Sequence, residues 1–434
     1  MAKVVFLENR LRTDKLGIMY LARILKDAGF EVDLVQAYKE KIPKADYIMC
    51  SVMSGEHEWF FNKLAELKSE RDFISIVGGP HFTFFPESGL KNDNIDYVVV
   101  GPGENVILDI VNGVYQGKKL IRGNLPDVNS LPHPYRQIQY KYSDFGDARM
   151  KRFIAGRYCL YSCTYCFNHL FKKLYQDQKK DFFQRVSPEQ MMEEILEVKK
   201  DYGLELVYFN DDDLASDKEW LIKFCTLIKQ TGLQFCGSVR ANSVLDDNIF
   251  DTSTIEFMAN SGCVFLNIAL ESAVPETQKL LRRGFVTNEQ IRFATQACEF
   301  HGIKIRLQNM IGLPVDNPLE DALETLKMNQ ELEPTDSWCA IFQPFPRTDL
   351  WKYCLEKGLI TEETQAQAFY EHTPLDIPDA DKINRLHKWW FFAIKYQWPI
   401  ELVKILLDTP LSKEQEEKIQ NYRWDVAKNL LYGM

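Results

Sequence analysis

Positive charge is in deficit: 52 Lys and Arg stand against 62 Asp and Glu, for a net charge of −10. That balance disfavours electrostatic binding to nucleic acid, short of a local basic patch. Long hydrophobic runs are missing too. The apolar stretches Val4–Leu7 and Trp389–Ile394 are far shorter than a bilayer span. Met1-Ala2-Lys3 leads straight into a strand-like segment with no apolar signal region. A soluble, cytoplasmic protein without a membrane partner is expected. Cysteine is scarce, ten in 434 residues, which excludes a disulfide scaffold and leaves spacing to decide what the thiols do. With 45% hydrophobic and 26% charged residues, the chain suits two or three globular domains.

Val4–Leu7, Glu31–Val35, Tyr47–Val52, Ile74–Val77 and Tyr97–Val100 are apolar runs of strand length. Between them, Ile18, Leu21, Ala22, Leu25 and Ala28 follow helical spacing up to Gly29. His57–Lys68 carries Phe60, Phe61, Leu64 and Leu67 on one side. This alternation predicts a doubly wound parallel sheet whose ligands sit at the carboxyl ends of the strands, where Gly78-Gly79 and Gly101-Pro102-Gly103 fall. Leu125–Phe145, with Pro126, Pro132 and Pro134, reads as a linker. Strands then recur at Glu205–Phe209, Gln234–Val239, Val264–Leu270, Lys304–Ile311 and Ser337–Phe342, and one more is expected just before Cys159. Six βα units make an open, partial barrel. Ser187-Pro188-Glu189-Gln190 predicts a helix start with a capping box. From about Ile360 the tail reads as helical. Its aromatic run, Trp389 to Trp398, reads as a core helix, with a cover over the barrel mouth as the alternative. The expected fold class is thus α/β: an N-terminal doubly wound parallel sheet (1–137, linker included), a partial (β/α)6 barrel (138–360) and a small helical C-terminal region (361–434).

Cys159, Cys163 and Cys166 are spaced C-x3-C-x2-C in a loop after the first strand of the second domain. Thiolates bind zinc or Fe–S clusters; zinc wants four ligands, whereas a compact triplet suits a [4Fe–4S] cluster with one open iron. Three buried free cysteines, or a zinc site with a distant fourth ligand, are the alternatives. The segment resembles the radical S-adenosylmethionine (SAM) superfamily, in which an aromatic residue precedes the last Cys, here Tyr165. The resemblance implies that each of the three cysteines binds one iron and that SAM chelates the fourth. Later segments resemble the family's weaker patterns. Asp211 and Asp212, after Phe209, stand where the family binds the SAM ammonium, although an acidic turn or a helix cap near Asp217 would read the same. Arg240 stands where the SAM carboxylate is paired, with a surface salt bridge as the alternative. Glu271 ends an apolar strand, the family's place for a ribose contact. Gly312, in Met310-Ile311-Gly312-Leu313-Pro314, would border the adenine. Of the remaining cysteines, most read as core residues; Cys339 and Cys354 are candidate hydrogen or proton donors near the barrel mouth.

A doubly wound domain ahead of such a barrel resembles the cobalamin-dependent branch of that superfamily. Leu16 and Gly17 match the start of its first helix, Ser51 and Met53 its Ser-x-Leu element, and Gly78 and Gly79 its Gly-Gly element. Gly101, Gly103 and Glu104 match as well. The Asp-x-His-x-x-Gly motif is missing; Glu8-Asn9-Arg10-Leu11-Arg12-Thr13 stands in its place, and His81 follows the wrong strand to replace it, so it reads as a loop histidine. The resemblance implies a [4Fe–4S] cluster, SAM and cobalamin as cofactors. It also implies a C-methyltransferase that works on an unactivated carbon through a 5′-deoxyadenosyl radical and methylcobalamin. The alternative is a cyclase, rearrangement or oxidation enzyme without methyl transfer. The implied partners are a small molecule or a peptide or protein side chain as substrate, and a low-potential donor such as flavodoxin or ferredoxin. A tRNA methylthiotransferase would need three more cluster cysteines in its first domain, where only Cys50 occurs. A non-catalytic Fe–S carrier would not need carboxylates at strand ends.

Overall fold

β1 (Lys3–Glu8) is buried from Val4 through Glu8, apolar on both faces as a central parallel strand must be. It lies between β2 (Glu31–Gln36) and β3 (Tyr47–Ser51), followed outward by β4 (Ile74–Gly78), β5 (Tyr97–Val100) and β6 (Leu120–Arg122). All five pairings are parallel. The order β2-β1-β3 reverses direction between β1 and β3, which opens a crevice at their carboxyl ends. The helix Leu16–Asp27 buries Ile18, Met19, Ala22 and Leu25 on this sheet and stops before Gly29, whose φ is +90°. The structure, a computed structural model, describes residues 1–245, 251–364, 366 and 370–432. The chain divides into two compact units, residues 1–157 with 178–207, and residues 158–177 with 208–434.

The segment read as a linker is more ordered than its prolines suggest. It carries short helices at Gln137–Tyr140 and Ser143–Gly146 and buries Val128, Ile138 and Tyr140. Arg136 there donates to Glu194 at 2.5 Å, both groups buried. The helix Pro188–Tyr202 starts as expected, with Ser187 accepting from the Gln190 amide N–H at 3.2 Å. The capping box is only half made, because the Gln190 side chain donates to the Leu131 carbonyl instead.

β7 (Met150–Phe153) is followed by a small antiparallel ribbon of β8 (Gly156–Arg157) and β9 (Gln184–Arg185). A second six-stranded sheet has the order β14-β13-β12-β11-β10-β7. Its other members are β10 (Leu206–Phe209), β11 (Gln234–Val239), β12 (Cys263–Glu271), β13 (Lys304–Ile311) and β14 (Asp336–Ile341). β11 through β14 pair in parallel. Chain order and spatial order coincide, the arrangement of an open partial barrel. The tail forms helices at Ala380–Lys395, Ile400–Leu407 and Lys413–Tyr432. Trp390 is buried in the core beside β14 and donates from Nε1 to Ser337 Oγ at 2.8 Å. The aromatic run is therefore a packing helix. Among the described residues no helix is long and apolar enough to cross a membrane.

Candidate functional site

Cys159, Cys163 and Cys166 line one cavity of about 170 Å³ in the second unit, together with Tyr165, Asp212, Arg240 and Glu271. Local chemistry shapes the thiol loop. Tyr158 enters it with φ 66°, and the Cys166 N–H donates to the Cys163 carbonyl at 3.2 Å. Thr164 pins the loop outward, its Oγ1 donating to the Leu280 carbonyl at 2.9 Å. Lys172, from the helix Phe167–Leu174, donates to the carbonyls of Leu160 and Tyr161. Burial pushes the Cys159 thiol up and the Cys166 thiol to about 12, so metal binding must displace protons. Among the described residues no three His, Cys, Asp or Glu side chains crowd closely enough for one metal ion. A tetrahedral zinc needs sulfurs roughly 3.8 Å apart. A cubane instead gives each cysteine a separate iron.

Arg240 follows β11 and supplies the cavity with a cation. Its Nη2 donates to Cys163 Sγ at 3.4 Å, and the guanidinium lies 3.7 Å from the centre of the Tyr161 ring. Nη1 is buried and has no protein acceptor among the described residues. Such a donor is costly to leave alone, and a ligand anion would satisfy it. A second cation, Arg283, escaped the sequence reading. It is buried, donates to the Ala269 carbonyl at 2.5 Å and reaches the Cys163 thiol. Burial opposes its charge, but Tyr165, Glu271 and Cys163 outweigh that and raise its pKa. No motif marks it, because it stands in the turn after the helix Pro275–Leu280 and meets the cavity only through the fold.

The carboxylates divide. Asp212 opens onto the cavity, and desolvation by the surrounding walls raises its carboxyl, opposed by Asn168 and Arg240. Asp211 is buried and does not line the cavity. Glu271 sits beyond a register shift in β12, with φ 66°, and its Oε1 accepts from the Tyr165 hydroxyl at 2.8 Å. Gly312 also lies outside the lining; its φ is +71° and a Cβ there would stand 3.3 Å from Ile383 Cγ2, so turn geometry and packing account for the glycine. Cys339 and Cys354 are buried in the apolar core rather than placed at a barrel mouth. Cys339 is the register partner of Asn309 while its neighbour Trp338 pairs with Gln308, which lines the cavity; the thiol points to the opposite face.

In the first unit, Ser51, Gly78, Gly79, Gly101 and Gly103 line a cleft of about 60 Å³ at the carboxyl edge of the sheet, beside Leu21, Cys50 and Ile107. A Cβ on Gly79 would stand 2.6 Å from the Val52 nitrogen, and its φ is +89°, so only glycine fits. The cleft is slender and mostly apolar, suited to an arm of a large ligand. The other four residues matched to this domain stand apart. Leu16 is buried at the start of its helix, Gly17 has nothing within 4 Å of a built Cβ, and Met53 is exposed. Glu104 pairs with Arg157 at 3.0 Å. His81 is not a loop residue: it belongs to the short helix Pro80–Phe84 and is buried. Its Nδ1 meets Ser54 at 3.2 Å, its Nε2 meets Ser88 at 3.0 Å, and its ring stacks on His57 at 4.1 Å. Both ring nitrogens are engaged, so neither is free to ligate a metal.

Residues 2–111 match the model of the B12 binding domain, and residues 153–328 match that of the Radical SAM superfamily. The chain belongs to the radical SAM superfamily and carries the B12-binding domain of its cobalamin-dependent members. It is an enzyme whose cofactors are a [4Fe–4S] cluster, SAM and cobalamin. Similar proteins include an uncharacterized methyltransferase of Pyrococcus horikoshii, 25% identical over 80% of this chain and 79% of that one. The anaerobic magnesium-protoporphyrin IX monomethyl ester cyclase of Rubrivivax gelatinosus is 23% identical over 92% and 76%. The cobalamin-dependent SAM radical enzyme OxsB, solved with aqua-cobalamin, aligns with a TM-score of 0.72 at 14% identity, over 99% of this chain and 72% of that one. At that identity the likeness is one of fold.

Proposed function

We propose that this enzyme is a C-methyltransferase acting on an unactivated carbon. The observation that supports the reading is the presence, in one chain, of a three-thiol cavity with a buried guanidinium nitrogen, Arg240 Nη1, that has no acceptor among the described residues, and a glycine-lined cleft in a B12-binding domain. Hydrogen abstraction leaves a carbon radical, which lacks the lone pair for polar attack on SAM, so methylation there needs a second methyl donor with a weak bond. When bound, the cluster with SAM supplies a hydrogen-abstracting radical, and cobalamin supplies the methyl group.

Cys159, Cys163 and Cys166 would each hold one iron. Arg240 would pair its Nη1 with the SAM carboxylate, and Asp212 would accept from the ammonium, whose charge favours the ionised acid. Tyr165 holds Glu271 Oε1 and leaves Oε2 to accept a ribose hydroxyl. Orientation of this kind places SAM against its electron donor. Ser51, Gly78, Gly79, Gly101 and Gly103 would flank the cobalamin tail, while His81, both ring nitrogens engaged by Ser54 and Ser88, would take no part in holding metal. A flavodoxin- or ferredoxin-type protein would deliver the electron.

Anaerobic reconstitution with cluster, cobalamin and SAM, followed by product mass, tests the reading. A gain of one methyl group supports it. A substrate that changes without that gain would replace it with cyclisation, rearrangement or oxidation, a second reading favoured by the similarity to the Rubrivivax cyclase.

A further inference from the structure

Glu271 faces the thiol cavity from a backbone shape that few side chains adopt. The Ser272 N–H donates to the Leu270 carbonyl at 3.0 Å, which closes a three-residue turn with Glu271 at its centre. With φ 66° this is the rare, strained form of that turn. Relaxation to extended backbone would re-aim the side chain. Such a shape persists only where the surroundings over-determine it.

The helix Pro318–Leu332 supplies the restraint. Asp321 and Thr325 share one face of it and grip consecutive residues just past the turn. The Ser272 hydroxyl donates to the Asp321 carboxylate, at 3.2 Å from one oxygen and 3.1 Å from the other, and Thr277 adds a bond of 2.5 Å. Thr325 Oγ1 accepts from the Ala273 N–H at 3.0 Å and donates to the Asp321 carbonyl at 2.9 Å, which fixes its orientation. The carbonyls around the turn are answered as well, that of Ala269 by Arg283, that of Ser272 by Gln278 and that of Ala273 by Asn288. Packing alone does not explain Asp321. It is 6% exposed, while its helix neighbours Ala322, Leu323 and Leu326 fill the apolar core. Burial raises its carboxyl, opposed by the hydroxyls of Thr277 and Ser272 and, among the described residues, by no cation. An acid buried on hydroxyls alone is costly where an apolar side chain would pack.

We infer that Asp321 and Thr325 are positioning residues for SAM: they clamp the strained turn after β12 and so hold the Glu271 carboxylate where it meets the ribose. Neither lines the cavity, so both act through Glu271. The inference rests on Glu271 as the ribose contact of the proposed function.

Equilibrium SAM binding to the anaerobically reconstituted holoenzyme tests this, with iron content and thermal midpoint recorded alongside. Asp321→Ala is expected to weaken SAM about five- to twentyfold at unchanged iron content, and Asp321→Asn, which keeps an acceptor, about threefold or less. Thr325→Val is nearly isosteric, should weaken SAM about two- to fivefold, and carries the test if Asp321→Ala does not fold. Leu326→Val, a core truncation on the same helix, should lower the thermal midpoint and leave SAM affinity alone. The deciding measurement is a double-mutant cycle: on a Glu271→Ala background, the Asp321 or Thr325 variant should lose no further affinity. Wild-type affinity in folded Asp321→Ala (or in Thr325→Val if the first does not fold), or additive losses in the cycle, would overturn the inference. Normal SAM binding by Glu271→Ala would remove the ribose reading and this inference with it. Weak binding by Glu271→Ala beside normal binding by the clamp variants would remove this inference alone.

Discussion

The Tyr165 hydroxyl donates to Glu271 Oε1 at 2.8 Å, which joins the residue preceding the last cluster cysteine to the carboxylate that ends β12. Burial and the Glu271 charge both push the phenol well above its usual range, so it stays a donor at every working pH. In Tyr165→Phe the carboxylate loses its orienting bond while the thiols are untouched. SAM affinity is expected to fall about three- to tenfold at unchanged iron content, read by equilibrium binding and iron assay. Loss of iron in that variant would make the pair a support of the loop instead.

Cys163→Ala should abolish both the brown cluster absorbance and SAM cleavage, since two thiolates do not hold an open-site cubane. A fully active variant would overturn the assignment of the triplet.

Arg240→Gln removes the buried Nη1 donor that has no acceptor among the described residues. Affinity for SAM is expected to drop about ten- to a hundredfold, the range for a charge-assisted bond in a shielded site, with most iron retained. A cluster lost along with SAM binding would show that the contact with Cys163 matters more than the free Nη1.

Two glycines matched to the same domain should part company. Gly79→Ala forces a Cβ to 2.6 Å from a backbone nitrogen at φ +89°, so a loss of about 1–3 kcal/mol and of cobalamin binding is expected. Gly17→Ala meets nothing within 4 Å and should leave both unchanged. Thermal melts and cobalamin retention on a desalting column read the difference. His81→Ala should leave the cob(II)alamin EPR spectrum without any lost imidazole splitting.

Glu8 carries a pH signature. Burial raises its carboxyl to about 7, against the pull of Lys15 at 2.8 Å. The folded state therefore binds a proton that the unfolded state has released between about pH 4.5 and pH 7. Stability from this group is complete at low pH and is lost as pH rises through 7, by about 3 kcal/mol at most. Glu8→Gln should gain stability over the wild type in urea at pH 8, and the gap should close below pH 5. A constant gap would exclude the proton linkage.

Strands were legible wherever burial is two-sided. Tyr97–Val100, Gln234–Val239 and Lys304–Ile311 match their apolar runs residue for residue. β6 was missed because Ile121 alone of its three residues is buried, leaving no pattern to read. Arg240 and Glu271 were legible because a charge closing an apolar run has little reason to be there for packing. Arg283 was not, since its partners at Ala269 and Cys163 are far from it in sequence and chosen by folding. Cys339 was read as a candidate donor near the barrel mouth but is buried in the apolar core, because spacing alone does not say which face of an edge strand looks inward.

β10 to β14 lie side by side in the order in which they are synthesised, so each strand emerges beside the partner it needs. The last of them is the exception. Its outward carbonyls at Ser337 and Cys339 are met by Arg423 and His387, roughly fifty and more residues downstream. Until the tail leaves the ribosome, that strand is a bare, sticky border open to a neighbouring nascent chain. The C-terminal helices thus serve as a guard against self-association, and a message cut short before them would encode an aggregating product even though every cluster ligand is present.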